Sequence, residues 1–122
     1  DIRGVTFTEF AMPFAGPGTV SKNAVIVAPG RIDRSPCGTG TSARLAVLHA
    51  RGPLAPGQGF IHESIIGSRF EAAIAGEATV GGRPAIVPTI AGQAWITGVF
   101  QHGFDPSDPF RGGYTLPDLW GA

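Results

Sequence analysis

The sequence predicts an α+β fold, a curved and mostly antiparallel sheet wrapped around one central helix. Three observations carry that expectation. Short apolar or alternating runs, broken by Gly/Pro turns, recur along the chain. Only the stretch around residues 39–51 carries helix start and stop signals, with Gly52-Pro53 forbidding continuation. Within it, Ala43, Leu45, Ala46, Val47, Leu48 and Ala50 leave only Arg44 and His49 as strongly polar positions, so the helix should be buried on most sides.

The elements follow in order. Val5–Phe10 alternates as a strand, with Val5, Phe7 and Glu9 on one face. Ala11–Lys22, holding Pro13, Gly16, Pro17 and Gly18, reads as a loop. Asn23–Ala28 is a continuous apolar run suited to a strand buried on both faces, and Pro29-Gly30 ends it. Thr39 or Thr41 can cap the helix, and Arg51 suits its last turn. Gly59–Ile66 and Ser68–Ile74 are further strands, the latter with Phe70, Ala72 and Ile74 on one face. Gly76-Glu77 and Gly81-Gly82 read as turns around Ala78–Val80, before strands at Ala85–Ile90 and Gln93–Phe100. The tail 104–122 is rich in proline and aromatics and should lie along a surface that buries them.

Composition bounds the function. The 122 residues hold nine basic and nine acidic groups, so no electrostatic footprint for nucleic acid or an anionic membrane exists. No apolar stretch approaches bilayer length. With 19 Gly and 11 Pro the chain is loop-rich, yet Leu, Ile, Val and Phe make about a quarter of it, which disfavours disorder. The size suits one domain. Asp1 opens the chain with no Met and no signal-peptide pattern, and the following residues read as the inside of a sheet, so a fragment or processed piece is expected. The lone Cys37 cannot form an internal disulfide and is either a small buried hydrophobe or a working thiol.

The chemistry concentrates in Asp33-Arg-Ser-Pro-Cys-Gly-Thr-Gly-Thr-Ser-Ala43. A glycine-containing loop that runs into a helix presents unpaired N–H groups at the positive end of the helix dipole. The guest should be an anion. The Gly-Lys-Ser/Thr ending of a phosphate loop is absent, and a carboxylate suits the same amides. Cys37 stands at the mouth of this site, where a helix start favours the charged form of a thiol and burial opposes it. A thiol beside a carboxylate pocket points to proton transfer at the adjacent carbon or to nucleophilic attack. Asp33 could receive a substrate ammonium, or scaffold the loop by a turn bond; both readings stay open.

These eleven residues resemble the second catalytic motif of the proline racemase family. The resemblance continues through His62-Glu-Ser-Ile-Ile-Gly-Ser68, Trp95-Ile-Thr-Gly98 and Asp105-Pro-Ser-Asp-Pro-Phe110, and so covers nearly the whole chain. It implies a diaminopimelate epimerase-like fold of two pseudo-symmetric halves, of which residues 1–122 would be the C-terminal part, with the motif at 33–43 and a crossing tail at 104–122. It implies cofactor-independent racemisation or epimerisation at the α-carbon of proline or 4-hydroxyproline. Residue by residue, it makes Cys37 the second-half acid/base, Asp33 the contact to the substrate amine, and Gly38 and Thr39 the amide donors to the carboxylate. The family's first-half Cys-Gly-His is absent, so the chain alone should be inactive and the N-terminal half of the enzyme should be its partner. Dehydratase relatives carry Thr where Cys37 stands, which favours inversion over dehydration. Val27, ten residues before Cys37, stands where proline-specific relatives carry a bulkier aromatic, which together with the tail at 113–120 favours hydroxyproline. The expected compartment is the cytoplasm, and a homodimer is left open.

Competing readings are plainer. The alternatives are a trans-3-hydroxyproline dehydratase-like relative and a non-catalytic amino-acid-binding module. The histidines and the cysteine show no metal-ligand spacing, and no Gly-x-Ser-x-Gly elbow exists. Ser64 and Ser68 read as strand or turn residues, Trp95 and Trp120 as core or docking residues, and Glu9 and Glu63 as isolated, solvated acids.

Overall fold

The computed structural model describes residues 4–114. Strands β1 (Phe7–Ala11), β2 (Val20–Val27), β3 (Arg31–Ile32), β4 (Phe60–Glu63), β5 (Arg69–Val80) and β6 (Arg83–Gly92) form one sheet, accompanied by a single helix, α1 (Gly38–Ala50). The order is β1-β2-β4-β5-β6, with β3 paired to β2; every pairing is antiparallel except β2 with β4. The predicted mixed fold, a mostly antiparallel sheet with one helix, is the one observed.

Pairing register carries one face across the sheet. Glu9 lies opposite Val25, Ser21 opposite His62, His62 opposite Phe70, and Phe60 opposite Ala72. Because side chains alternate with period two, Glu9, Ser21, Asn23, Val25, Phe60, His62, Ala72 and Ile74 all point to the helix side. The core forms there from Leu45, Leu48, Leu54, Phe60, Ala72 and Ile74, with Phe14, Ile86 and Ile90 packed against it.

Several local expectations change. β2 begins at Val20 and alternates, burying Ser21, Asn23 and Val25 while Lys22 and Ile26 face out, so it is buried on one face rather than two. The residues at Gly76-Glu77 do not turn; β5 runs through them, absorbing one extra residue as a bulge between Ile74 and Gly76. Gly81 and Gly82 do turn, both with positive φ (56° and 73°), as a two-residue hairpin requires. Residues 93–100 form no strand among the described residues, because their alternation finds no partner beyond the β6 edge.

Helix α1 buries Thr41, Leu45 and Leu48, while Ala43, Val47 and Ala50, spaced three and four apart, remain exposed. It is therefore covered on one side rather than on most. Its stop is as read: Gly52 has φ 92° and donates to the His49 carbonyl. The expected burial of Trp95 and of the tail aromatics is not met, since Trp95, Phe104, Phe110 and Tyr114 are exposed. Trp120 and the rest of 115–122 lie outside the described residues, as do residues 1–3. No helix among the described residues is long and apolar enough to cross a membrane.

On the outer face, Glu63 is not solvated. Its buried carboxylate receives Lys22 Nζ at 2.9 Å and Arg69 Nε at 2.7 Å, each from the residue directly opposite on β2 and β5. Hydrogen bonds from Lys22 and then Arg69 hold its carboxyl below the usual carboxylate range. A depressed carboxyl contributes stability that is present above the ordinary carboxylate range and is lost as pH falls through the depressed value. Stability should therefore fall as pH drops through and below the ordinary carboxylate range, with a shallower fall in Glu63→Gln, measured by urea unfolding at each pH.

The exposed Phe7, Phe10, Met12, Ile65, Ile66, Trp95, Val99 and Phe100 leave large apolar area facing solvent. The chain by itself should self-associate as its concentration rises in sedimentation velocity; a monomer at every concentration contradicts this.

Candidate active site

The segment from Asp33 to Cys37 occupies the edge of β2 beyond the point where β4 stops pairing. Asp33 N–H donates to the Val25 carbonyl at 2.9 Å. Asp33 Oδ1 then accepts from both the N–H and the hydroxyl of Ser35 at 2.9 Å, and Ser35 Oγ accepts the Cys37 N–H at 3.0 Å. Asn23 Nδ2 donates to the Pro36 carbonyl at 2.8 Å, and Ser68 Oγ donates to the Arg34 carbonyl at 2.8 Å. Ser64 and Ser68 are turn residues as read, with Ser64 N–H on the Ser68 carbonyl and their hydroxyls 2.7 Å apart. The loop is thus tied to β2, to the β4–β5 turn and to itself.

Cys37, and neither Thr39 nor Thr41, is the helix cap. Its sulfur accepts the Gly40 N–H at 3.4 Å, and its carbonyl accepts the Thr41 N–H at 2.8 Å. Oxygen side chains dominate this position because they are better acceptors, so the cap was not legible from residue preference. The backbone of Cys37 has φ 64°, a left-handed conformation that side chains with a Cβ rarely adopt. The sulfur also lies 3.3 Å from Thr39 Oγ1. Cys37 is 4% exposed, yet its sulfur faces an amide and a hydroxyl rather than packed hydrocarbon.

The N–H groups of Gly38 and Thr39 precede any intrahelical acceptor and find none among the described residues; both residues are exposed. The four predicted site residues, Asp33, Cys37, Gly38 and Thr39, therefore sit on one short turn. Asp33 performs the scaffolding role through Oδ1, and its second oxygen has no partner among the described residues. Val27 ends β2, paired to Phe7 and Arg31.

Sequence reading missed a second group, delivered by the strands. Glu9 is partly buried rather than solvated. Its Oε1 lies 3.3 Å from Asn23 Nδ2 and 3.2 Å from Nε2 of His62, which is fully buried. The His62 contact is close in distance but off the line of a hydrogen bond, so the ring packs against the carboxylate rather than bonding to it. His62 Nδ1 is 2.9 Å from Thr41 Oγ1. The available signal was the face assignment: a lone acid sharing the inward face of β1 needs a partner. A cavity of about 650 Å³ between the C-terminal half of α1 and β5–β6, edged by the His49–Glu77 pair at 3.0 Å, lies at the opposite end of the helix from Cys37.

The chain is similar to several known proteins. The chain is 46% identical over 121 residues to a 4-hydroxyproline 2-epimerase of Allorhizobium ampelinum, covering 99% of this chain and 34% of that protein. A hydroxyproline epimerase from Agrobacterium vitis, solved with bound trans-4-hydroxy-L-proline, superposes with a TM-score of 0.72 at 46% identity. A probable proline racemase from Agrobacterium radiobacter K84, solved with bound carbonate, superposes with a TM-score of 0.73 at 45% identity. Each superposition covers 98% of this chain and 34% of the other. The chain thus spans about a third of the length of these relatives. The sequence profile described as "Proline racemase" matches residues 1–115, and the chain belongs to that family.

Proposed function

We propose that this chain supplies one side of an active site that inverts the α-carbon of 4-hydroxyproline, or of proline, by exchange of a proton between two thiols. The observation that carries the proposal is the turn itself. A sulfur rests on the third amide of a helix start, and the two preceding amides stand exposed beside it. The likeness to relatives named as hydroxyproline epimerases supports the substrate class.

In this reading the substrate carboxylate accepts hydrogen bonds from the Gly38 and Thr39 amides, and the free oxygen of Asp33 receives the ring ammonium. One cysteine, as thiolate, takes the α-proton. The electron pair left on carbon delocalises into the carboxylate, where the amides and the dipole of α1 stabilise it. A thiol on the opposite face returns a proton, and the configuration is inverted with no net change in atoms or electrons. Cys37 is one of the two thiols. The other belongs to the part of the relatives' length that this chain does not span, and that part is the partner the reading requires. Val27, smaller than an aromatic side chain, favours a ring that bears a hydroxyl.

Two measurements test this in a full-length enzyme in which the chain replaces the matching third of the Allorhizobium ampelinum epimerase. Deuterium from solvent should enter the α-carbon of 4-hydroxyproline, and Cys37→Ser should slow that entry by about 10²–10⁴-fold. Undiminished incorporation removes Cys37 from the chemistry. Asp33→Asn keeps the oxygen that holds Ser35 but loses the charge, so the fold should persist while the substrate dissociation constant rises about 10–100-fold. An unchanged constant, measured by calorimetry, removes the ammonium contact.

A further inference from the structure

The strand-borne group around Glu9 has no part in the proton exchange described above. Its placement is nonetheless specific. A side chain built at Gly40 would meet Glu9 Oε2 at 2.9 Å, Cys37 Cβ at 3.3 Å and Cys37 Sγ at 3.5 Å. The carboxylate of Glu9 and the sulfur of Cys37 therefore border the same small space, the one that the missing side chain of Gly40 leaves open. Both stand close enough to that one point that a Cβ there would crowd them.

Glu9 is in turn fixed from below. Asn23 Nδ2 reaches Glu9 Oε1 at 3.3 Å and the Pro36 carbonyl at 2.8 Å, so one amide joins the carboxylate to the residue before Cys37. His62, with no exposed surface, brings Nε2 within 3.2 Å of the same oxygen, and that nitrogen has no hydrogen-bond partner among the described residues. Its other nitrogen meets Thr41 Oγ1, on the first turn of α1 and itself 3.4 Å from the Pro36 carbonyl. A buried imidazole and a part-buried carboxylate are costly to place in a small core. His62 reaches the first turn of α1 through Thr41, and Glu9 faces that turn at the space over Gly40.

We propose that Glu9, held by His62 and Asn23, is a positioning residue that sets the direction of the Cys37 sulfur by walling the space at Gly40. The inference rests on the acid/base reading of Cys37 for its effect on rate. Its effect on the sulfur's position can be read without that chemistry. The wall needs the length and the oxygen of residue 9 rather than its charge, because the hydrogen bond that holds it, from Asn23 Nδ2, is made to an oxygen.

The test uses Glu9→Ala and Glu9→Gln in the same full-length enzyme. For Glu9→Ala, kcat should fall about tenfold or more with KM within about twofold, since a misdirected catalytic atom costs rate rather than ground-state binding. Glu9→Gln should restore kcat to within about threefold of the unsubstituted enzyme. Alkylation of Cys37 by iodoacetamide gives the second readout. It should quicken at least about threefold in Glu9→Ala, as the sulfur leaves the Gly40 amide, and stay unchanged in Glu9→Gln. If Glu9→Ala loses its fold by circular dichroism, Glu9→Asp, which withdraws the carboxylate by one methylene, carries the same expectations. A Glu9→Ala enzyme with unchanged kcat, a shift confined to KM, or a Glu9→Gln as impaired as Glu9→Ala each overturns the proposal. An unsubstituted enzyme that epimerises nothing defeats the epimerase reading instead. In that case equal alkylation rates in all forms overturn the positioning role.

Discussion

The arrangement depends on one weak bond, the donation of the Gly40 amide to the sulfur of Cys37. Sulfur is a poor acceptor, and a left-handed backbone at a residue with a Cβ costs on the order of 1–3 kcal/mol. A helix start chosen for stability alone would carry serine or aspartate in an extended backbone. Here the cap is cysteine at φ 64°, and the surrounding loop is over-determined to hold it there. Asp33, Ser35, Asn23 and Ser68 together place four hydrogen bonds on backbone atoms of residues 34–37. That concentration of bonds holds a strained residue in one conformation.

The sheet divides its inward face to serve both ends of the helix. Toward the end of α1 lie Phe60, Ala72 and Ile74 against Leu45 and Leu48, and this apolar set supplies the burial that folds the chain. Toward the start lie Glu9, Asn23 and His62 against Thr41, all polar and all in contact with one another or with the loop. Phe60 and His62, two residues apart on β4 with rings 4.9 Å between centroids, mark the boundary. The polar end is less favourable to bury than the apolar end. Its retention makes sense if the helix start must be held in one position rather than merely held.

Much of this was legible from residues alone, and the misses share a cause. The helix and its stop were readable because Gly52 and Pro53 act through their own backbone. The cap was not, because Cys37 serves there only through a loop whose bonds come from β2 and the β4–β5 turn. Residues 69–80 look interrupted at Gly76 in the sequence, since glycine marks turns and bulges alike and only the partner strand distinguishes the two. Residues 93–100 alternate like a strand, yet alternation specifies a face and not a partner. The predicted site residues lay in one contiguous motif, so a sequence could display them. Glu9, Asn23 and His62 come from three strands and meet only once register is set.

The relatives are about three times as long as this chain, and the reading offered for Cys37 needs a second thiol from outside it. The most direct test of the account is the structure of the full-length enzyme crystallised with trans-4-hydroxy-L-proline. The account predicts that the ligand's carboxylate lies within about 3.1 Å of the Gly38 and Thr39 amides, with the Cys37 sulfur facing the α-carbon and a second cysteine on the other side. A carboxylate held elsewhere, or a Cys37 sulfur turned away from the α-carbon, would contradict it.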